Sequence, residues 1–367
     1  MAGFNEINMK TILYIASNIT NSGGVSRVLS LKTNYLVDKM NYSVHILSTN
    51  DETSTPFFDF SSKIIFHYCP VRVSNISAFW NYKKYIQATV NQINTDMIIV
   101  ADNGIKSFFI KKWLPENICI YELHAEPSYF INGSYNGIKK YLNRFLIKSY
   151  LHLFDKIVLL DQSFSLDFIA NEKRIVLPNP LTFDTETKSS LNNKKAIAVG
   201  RIVPLKGYER MLQAWKKVVT KYPEYVLEIY GENTTEYSLQ ELINRLDLEK
   251  HVQLIAPTLQ IKKKYLQADF LLHASYSESF SMVFLEAMHC GLPIIGFDLE
   301  NNNLATSQNV LFSVNETSYV KNVFEVIENK ALANEMAKKG IKISEEYELS
   351  KIMNDWNDLF QKTIKQN

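Results

Sequence analysis

The segment Thr11–Ser48 reads TILYIASNITNSGGVSRVLSLKTNYLVDKMNYSVHILS, and its pattern indicates the fold class. Its two ends, TILYIA and SVHILS, are short apolar runs of the kind that form buried strands. Between them, the segment Val25–Met40 carries apolar residues at helical spacing, among them Val28, Leu29 and Leu36. A strand, a helix and a strand in this order predict a parallel β-α-β unit.

The same alternation continues along the chain until one irregular segment interrupts it. Leu177–Ser190, LPNPLTFDTETKSS, shows little periodicity, so we predict a linker there. A second strand–helix series begins at Lys195. We therefore predict an α/β protein with two doubly wound, Rossmann-like domains, over residues 1–180 and 181–349. A C-terminal helix over residues 350–367 is expected to pack back on the first domain. The cleft between two such domains is the expected active site.

Composition and charge exclude several classes of protein. The sequence has 40 Lys and Arg against 38 Asp and Glu, and a net charge of +2 gives no electrostatic basis for nucleic-acid binding. Cys69, Cys119 and Cys290 are far apart and include no C-x-x-C pair, which disfavours a disulfide scaffold or a cysteine zinc site. Neither D-x-D nor H-E-x-x-H occurs, so no bound metal is predicted. Without an apolar run near 18 residues or a signal-peptide pattern, a cytoplasmic protein is expected.

Two turns that follow predicted strands are candidate phosphate-binding sites. Asn21–Val25 contains adjacent glycines and opens a helix, whose N-terminus favours an anion, although a plain strand-to-helix turn is an equally good interpretation. Val199–Gly207, VGRIVPLKG, places Arg201 and Lys206 after the first strand of the second series. An Arg fork and a Lys charge suit a diphosphate, but surface Arg and Lys are common, so ordinary surface residues are the better interpretation of this segment alone.

The segment Glu278–Glu286, ESFSMVFLE, carries the most information. It follows a predicted strand, and Ser281 is a candidate N-cap for a helix over Met282–His289. Glu286 lies in an otherwise apolar helix, where a carboxylate needs a partner such as a pair of sugar hydroxyls. From periodicity alone, the favoured interpretation is instead a Glu on the solvated side of that helix.

Together these motifs make the chain resemble the retaining glycosyltransferases of family 4, which have the GT-B fold. The resemblance rests on the Gly-Gly turn, the G-R-x4-K-G motif, and the E-x7-E block followed by Gly291 and Pro293. It extends from about Met9 to Phe360, and Pro178-Asn-Pro180 also fits it. The resemblance implies two Rossmann-like domains facing each other across a cleft, with a nucleotide-sugar bound by the second.

The resemblance also implies a role for individual residues. Glu278 would contact the transferred sugar, and His124, at the end of a predicted strand, would lie near that sugar; these two are the predicted catalytic residues. The resemblance implies that the other residues would bind the donor. Arg201 and Lys206 would hold the diphosphate, and Glu286 would accept from the ribose hydroxyls. The backbone of Ser281 and Met282 would contact the phosphate or the sugar, Pro257 and Thr258 would border the base, and Gly24 would pack against the phosphate from the other domain.

The expected activity is a retaining, metal-independent sugar transfer. The donor would be a nucleotide diphosphate sugar, expected to be UDP-linked, which serves as a co-substrate, and no other cofactor is predicted. The acceptor would be a glycan or a lipid-linked glycan in cell-surface polysaccharide or lipopolysaccharide assembly. A non-catalytic GT-B subunit that supports a partner enzyme is the alternative, although such a subunit would be expected to lose its donor residues. The loop Asp298–Leu304 departs from the family's glycine-rich pattern, which leaves the nucleotide open.

One helix suggests contact with an anionic membrane surface. Gly137–Phe154 carries Lys139, Lys140, Arg144 and Lys148 beside apolar residues, and Phe108–Leu114 also interleaves aromatic and basic residues. Such a pattern suits a peripheral protein on the inner face of a membrane. A core helix with a solvated basic edge explains the same residues and is slightly favoured.

Overall fold

The chain folds into two α/β units. A computed structural model describes residues 9–51, 55–102, 104–125, 130–131, 138–164, 166–233, 238–298, 304 and 309–366. The first unit comprises Met1–Pro178 and Leu349–Asn367, and the second comprises Asn179–Glu348. The chain thus leaves the first unit at Pro178 and returns to it at Leu349.

Each unit is built on a parallel sheet. Among the described residues, the first sheet has the strands β1 Thr11–Ala16, β2 Ser43–Ser48, β3 Ile65–Tyr68, β4 Met97–Ala101, β5 Cys119–Leu123, β6 Lys156–Leu159 and β7 Arg174–Val176. The second has β8 Lys195–Val199, β9 Val226–Tyr230, β10 Val252–Ile255, β11 Phe270–His273, β12 Ile294–Phe297 and β13 Val310–Ser313. The strand orders are β3-β2-β1-β4-β5-β6-β7 and β10-β9-β8-β11-β12-β13. The sequence did not predict the short strands β7 and β13.

Helices connect the strands. The first unit has α1 Gly24–Lys39, α2 Ile76–Ile93, α3 Ile110–Trp113 and α4 Ile138–Tyr150. The second has α5 Tyr208–Lys221, α6 Leu239–Arg245, α7 Ile261–Leu266, α8 Met282–His289, α9 Glu316–Glu328 and α10 Lys330–Ser344, and the chain ends with α11 Leu349–Gln366 in the first unit. The part of the chain that the structure describes has no helix long and apolar enough to cross a membrane.

The C-terminal helix α11 belongs to the core of the first unit. Met353, Trp356 and Phe360 are buried with Ile12 and Tyr14 of β1 in one apolar cluster. Tyr42, which precedes β2, donates a hydrogen bond to Asn357 at 2.6 Å. Complete burial of large side chains contributes several kcal/mol of stability, so we expect the first unit to depend on α11.

A buried ion pair lies under this helix. Lys32 on α1 is 1% exposed, and its Nζ lies 2.6 Å from Oε1 of Glu122 on β5. The same Nζ lies 3.5 Å from the ring centroid of Trp356. Burial lowers the pKa of Lys32, although Glu122 opposes this effect. Burial would raise the pKa of Glu122, but Lys32 and His124 together hold it below its usual value. Glu122 is therefore ionised at neutral pH.

Gly207 permits a close backbone contact in the second unit. It precedes α5 with φ +64°, a conformation that side chains disfavour, and an added Cβ would lie 2.0 Å from the carbonyl oxygen of Ala274. We expect Gly207→Ala to destabilise the second unit by about 2 kcal/mol or more, measured by chemical denaturation. Gly296→Ala is the control, because its Cβ would meet no atom closer than 3.8 Å. Equal stability of the two variants would contradict this account.

Candidate functional site

The predicted donor-binding segments of the second unit gather at one edge of its sheet. Parallel strands place their carboxyl ends together, and ligands bind where the strand order reverses. That reversal lies between the adjacent strands β8 and β11. The segment after β8 carries Arg201 and Lys206, and the segment after β11 carries Glu278 and Ser281. The topology therefore brings the two motifs to the position where a doubly wound sheet binds its ligand.

Glu278 is the centre of a hydrogen-bonded cluster. Its side chain is 13% exposed, and its Oε1 accepts from Nζ of Lys206 at 2.6 Å. The same oxygen accepts from Oγ of Ser275 at 2.7 Å and lies 3.0 Å from Nε2 of His273. Among the described residues, no hydrogen bond reaches its Oε2. This oxygen is therefore available to a ligand.

The cluster keeps Glu278 ionised. Burial would raise the pKa of Glu278, but Lys206 and His273 together hold it well below its usual range. A carboxylate with so low a pKa is a poor general base at neutral pH, because it binds protons weakly. It is instead a strong hydrogen-bond acceptor. The sequence analysis identified Glu278 and Lys206 but missed His273 and Ser275, because a single His or Ser at a strand end carries no specific signal.

Glu286 is buried, so the interpretation that periodicity favoured, a Glu on a solvated side of α8, is wrong. It is 8% exposed. Its Oε1 accepts from Thr182 at 2.7 Å, and its Oε2 accepts from Tyr265 at 2.8 Å. The helix is short and its residues from Phe284 to His289 are all buried, so it has no solvated side there. Both carboxylate oxygens of Glu286 therefore have hydrogen-bond partners within the second unit.

Ser281 and Met282 form the N-terminus of α8. Ser281 occupies the N-cap position as predicted, but its side chain makes no capping hydrogen bond. Its Oγ is buried, and no hydrogen-bond partner for it is present among the described residues. A buried hydroxyl without a partner is costly, and a polar ligand at this helix end would supply one.

The remaining predicted residues of the second unit are more accessible. Arg201 is exposed and forms no ion pair with any described residue. Pro257 and Thr258 follow β10 and are partly exposed, and Thr258 Oγ1 accepts from the backbone N–H of Gln260 at 3.1 Å. Arg201 is thus free to bind an anion. The divergent loop noted above falls largely on residues 299–303, which lie outside the described residues.

Two predicted residues belong to the first unit. Gly24 is the exposed first residue of α1, which follows the carboxyl end of β1, and its neighbour Gly23 has an ordinary φ of −77°. His124 directly follows β5, and its side chain is 5% exposed with Nε2 3.5 Å from Glu122 Oε1. Burial lowers the pKa of His124, although Glu122 opposes this effect. His124 is therefore a buried, predominantly neutral imidazole. Among the described residues, no group of three or more His, Cys, Asp or Glu could hold a metal ion.

Comparison with known proteins identifies the second unit. Residues 182–343 match the family model described as glycosyl transferases group 1. This stretch of the chain is similar to the group 1 glycosyltransferases. The prediction of a glycosyltransferase is confirmed at this level, whereas membership of family 4 and the retaining outcome stay predictions. The match covers all the clustered residues around Glu278 and Glu286.

Similar proteins support this glycosyltransferase assignment along the whole chain. An uncharacterized glycosyltransferase of Haemophilus influenzae is 27% identical over 96% of this chain and 100% of its own length. The amylovoran biosynthesis glycosyltransferase AmsD of Erwinia amylovora is 22% identical over 96% of this chain and 99% of its own. The pneumococcal O-GlcNAc transferase GtfA, solved with UDP and GlcNAc, aligns with a TM-score of 0.75 at 15% identity, covering 97% of this chain and 99% of that one. The predicted GT-B fold, with two Rossmann-like units, is confirmed.

Proposed function

We propose that this glycosyltransferase is a retaining enzyme of family 4 that uses a UDP-sugar. It would transfer a hexose to a glycan or lipid-linked acceptor during assembly of a cell-surface polysaccharide. The observation that carries the proposal is the Glu278 cluster, because it presents, at the carboxyl ends of the strands, one carboxylate oxygen that no described residue binds. The relative in amylovoran biosynthesis and the UDP bound to GtfA support the acceptor class and the donor.

The second unit supplies the groups that such a donor needs. Arg201 and Lys206 would balance the charge of the diphosphate, and the N-terminus of α8 would add backbone N–H groups. Glu286 would accept from the ribose hydroxyls. Glu278 would accept, through its Oε2, from a hydroxyl of the sugar. These interactions hold the leaving group and the sugar and require no metal ion of their own.

The bond changes then follow from the roles of these residues. The bond between C1 of the sugar and the diphosphate oxygen breaks, and a bond between C1 and the acceptor oxygen forms on the same face. The acceptor's proton passes to the leaving diphosphate, which acts as the base. Glu278 does not act as the base, because its pKa lies far below neutrality. Arginine, lysine and helix N–H groups stabilise the charge that develops on the diphosphate.

We expect Arg201→Ala to weaken UDP binding by roughly ten- to hundredfold, because a lost charge-assisted hydrogen bond costs about 1.5–3 kcal/mol. Isothermal titration calorimetry with UDP measures the effect. Arg201 is the clean test, since it is exposed and its removal breaks no described ion pair. Lys206→Ala should weaken UDP binding as well, but it also leaves Glu278 without its cation.

The control is Arg245→Ala. Arg245 is exposed and is the last residue of α6, the helix that leads from the carboxyl end of β9 back towards the start of β10. This variant should leave UDP binding unchanged. If Arg201→Ala binds UDP as tightly as the Arg245 control does, Arg201 is not a diphosphate ligand. If the unaltered protein binds UDP no better than it binds free uridine, the diphosphate site as a whole is wrong.

We further propose that α4 is a peripheral membrane contact. Tyr141, Leu142 and Phe145 are 75%, 53% and 64% exposed, so the slightly favoured interpretation of α4 as a core helix is wrong for this face. The opposite face is buried through Asn143 and Ile147. Lys140, Arg144 and Lys148 lie on the same helix as the exposed apolar residues. Apolar and basic side chains exposed together suit an anionic lipid surface.

Binding to phosphatidylglycerol-containing vesicles tests the membrane contact. With Lys140, Arg144 and Lys148 changed to Glu, binding should weaken by about a hundredfold, since each basic residue contributes about 1 kcal/mol. A matched control changes Lys250, Lys321 and Lys338, exposed lysines of the second unit, to Glu. Vesicle co-sedimentation, measured at low and high salt, reads out binding. No sedimentation at low salt would defeat the proposal and favour a soluble acceptor.

A further inference from the structure

Arg210 on α5 binds the backbone of the segment that follows β11. Its Nε and Nη2 donate to the carbonyl oxygen of Ala274, at 2.9 Å and 2.5 Å, and its Nη2 also donates to the carbonyl oxygen of Ser275 at 2.8 Å. The strand β11 ends at His273, so these carbonyls lie beyond the ladder that β11 forms with β12. The guanidinium group therefore supplies hydrogen-bond donors to these two carbonyl oxygens, as a neighbouring strand would do within a sheet.

Two aromatic rings hold the guanidinium group. Its central carbon lies 4.0 Å from the ring centroid of Tyr276 and 3.9 Å from that of Phe297. Phe297 in turn stacks on Tyr319 at 4.6 Å. Only a planar cation can stack on rings and donate in a fork at the same time, so Lys cannot replace Arg here.

The bound segment leads directly to Glu278. Ser275, whose carbonyl oxygen accepts from Arg210, donates its own hydroxyl to Glu278 Oε1 at 2.7 Å. The next residue, Tyr276, donates its backbone N–H to the carbonyl oxygen of Leu205 at 2.9 Å, beside Lys206. Arg210 thus holds the backbone that supports both partners of the Glu278–Lys206 pair.

We infer that Arg210 is a positioning residue for Glu278: by binding the Ala274 and Ser275 carbonyls, it fixes the carboxylate that would contact the donor sugar. Arg210 makes no contact with the ligand in this scheme and acts through the segment between β11 and α8. The inference rests on the proposed function for its catalytic consequence, but the ordering of the segment does not depend on any ligand.

Hydrogen–deuterium exchange tests the ordering without a ligand. In Arg210→Lys and Arg210→Met, backbone amides of the segment 274–281 should exchange at least about tenfold faster than in the unaltered protein, because their anchor is weakened. Arg245→Lys is the matched control and should change nothing. Arg210→Lys retains a cation and is the variant least prone to misfold. If the amides of segment 274–281 exchange at the same rate in both Arg210 variants as in the unaltered protein, the inference is overturned. This result does not depend on which ligands bind.

Ligand measurements then test the link to Glu278. The probes are UDP and whichever of UDP-glucose, UDP-galactose, UDP-GlcNAc and UDP-GalNAc most raises the melting temperature of the unaltered protein. Arg210→Met should keep the affinity for UDP and lose about tenfold in kcat for hydrolysis of the UDP-sugar, since a misplaced group costs rate. If Arg210 acts through Glu278, Arg210→Met combined with Glu278→Gln should be no slower than Glu278→Gln alone.

If the losses in kcat of Arg210→Met and Glu278→Gln multiply in the double variant, the positioning role is overturned. Arg210 would then act independently of Glu278. An equal loss of UDP affinity in Arg210→Met would also overturn it, since the whole site would then be distorted. If the unaltered protein binds none of the four UDP-sugars, the proposed donor is wrong, and the exchange data alone decide whether Arg210 orders the segment.

Discussion

Replacing Lys32 by Met is expected to destabilise the first unit by about 3–5 kcal/mol, because it leaves a buried carboxylate without its cation. Glu122 is 2% exposed, so water cannot replace the lost partner. The lost contact of the ammonium group with Trp356 adds to the effect. Urea denaturation followed by tryptophan fluorescence measures the change, since Trp356 reports on this core.

Two further variants test whether the loss of stability comes from the unpaired charge of Glu122. Lys32→Met combined with Glu122→Leu removes both charges and should recover most of the stability, because an apolar pair needs no compensation. Lys10→Met is the matched control. It breaks the partly exposed pair with Asp96 and should cost at most about 1 kcal/mol. If Lys32→Met were no worse than Lys10→Met, the buried pair would not be a structural requirement.

The pair also predicts a direction of pH dependence. The pKa of Glu122 in the folded protein lies below its ordinary value. The stabilisation that this shift represents is therefore present above the ordinary Glu pKa and is lost as the pH falls through the lower, folded value. The acid-induced loss of stability should be smaller in the Lys32→Met, Glu122→Leu double variant, which lacks this titrating group.

Glu278→Gln is expected to weaken binding of the UDP-sugar by about ten- to hundredfold while leaving UDP binding within about threefold. A neutral amide loses the charge-assisted hydrogen bond to a sugar hydroxyl, which is worth about 1.5–3 kcal/mol, but UDP has no sugar hydroxyl at that position. Calorimetry with UDP and with the stabilising UDP-sugar measures both affinities. The rate of sugar transfer should fall at least as much, because the orientation of the sugar is lost with the contact.

Glu286→Gln gives the contrasting pattern. Its proposed partners are the ribose hydroxyls, which UDP and the UDP-sugar share, so both affinities should fall together. Glu241→Gln, an exposed position on α6, should change neither. A Glu278→Gln variant that weakened both ligands equally would rule out a sugar-facing role for Glu278.

The alternation of short apolar runs with helical patterns was sufficient to predict the sheets. The strands Thr11–Ala16 and Ser43–Ser48 have the bounds expected from the sequence, because buried parallel strands read as mostly apolar runs. The strand Val310–Ser313 was missed, since four residues carry little pattern. The sequence motifs also identified Lys206 and Glu278, whose spacing relative to glycines is distinctive.

The partners of these motif residues could not be predicted. Lys32 on a helix reads as a solvent-facing cation, and its burial depends on Glu122 and Trp356, which are distant in sequence. The environment of Glu286 likewise depends on Thr182, which precedes it by 104 residues. Such contacts arise only from tertiary packing, and a local sequence pattern carries no information about them.

The return of the chain to the first unit has a consequence for its synthesis. The ends of the second unit are adjacent, since the backbone N–H of Leu181 donates to the carbonyl oxygen of Tyr347 at 2.7 Å. Trp356 and Phe360, by contrast, complete the core of the unit that emerges first from the ribosome. The core of the first unit therefore stays incomplete until α11 has been synthesised, whereas the second unit can fold before then. A nonsense mutation among the codons of α11 would therefore damage the first unit, although the second unit would already be complete.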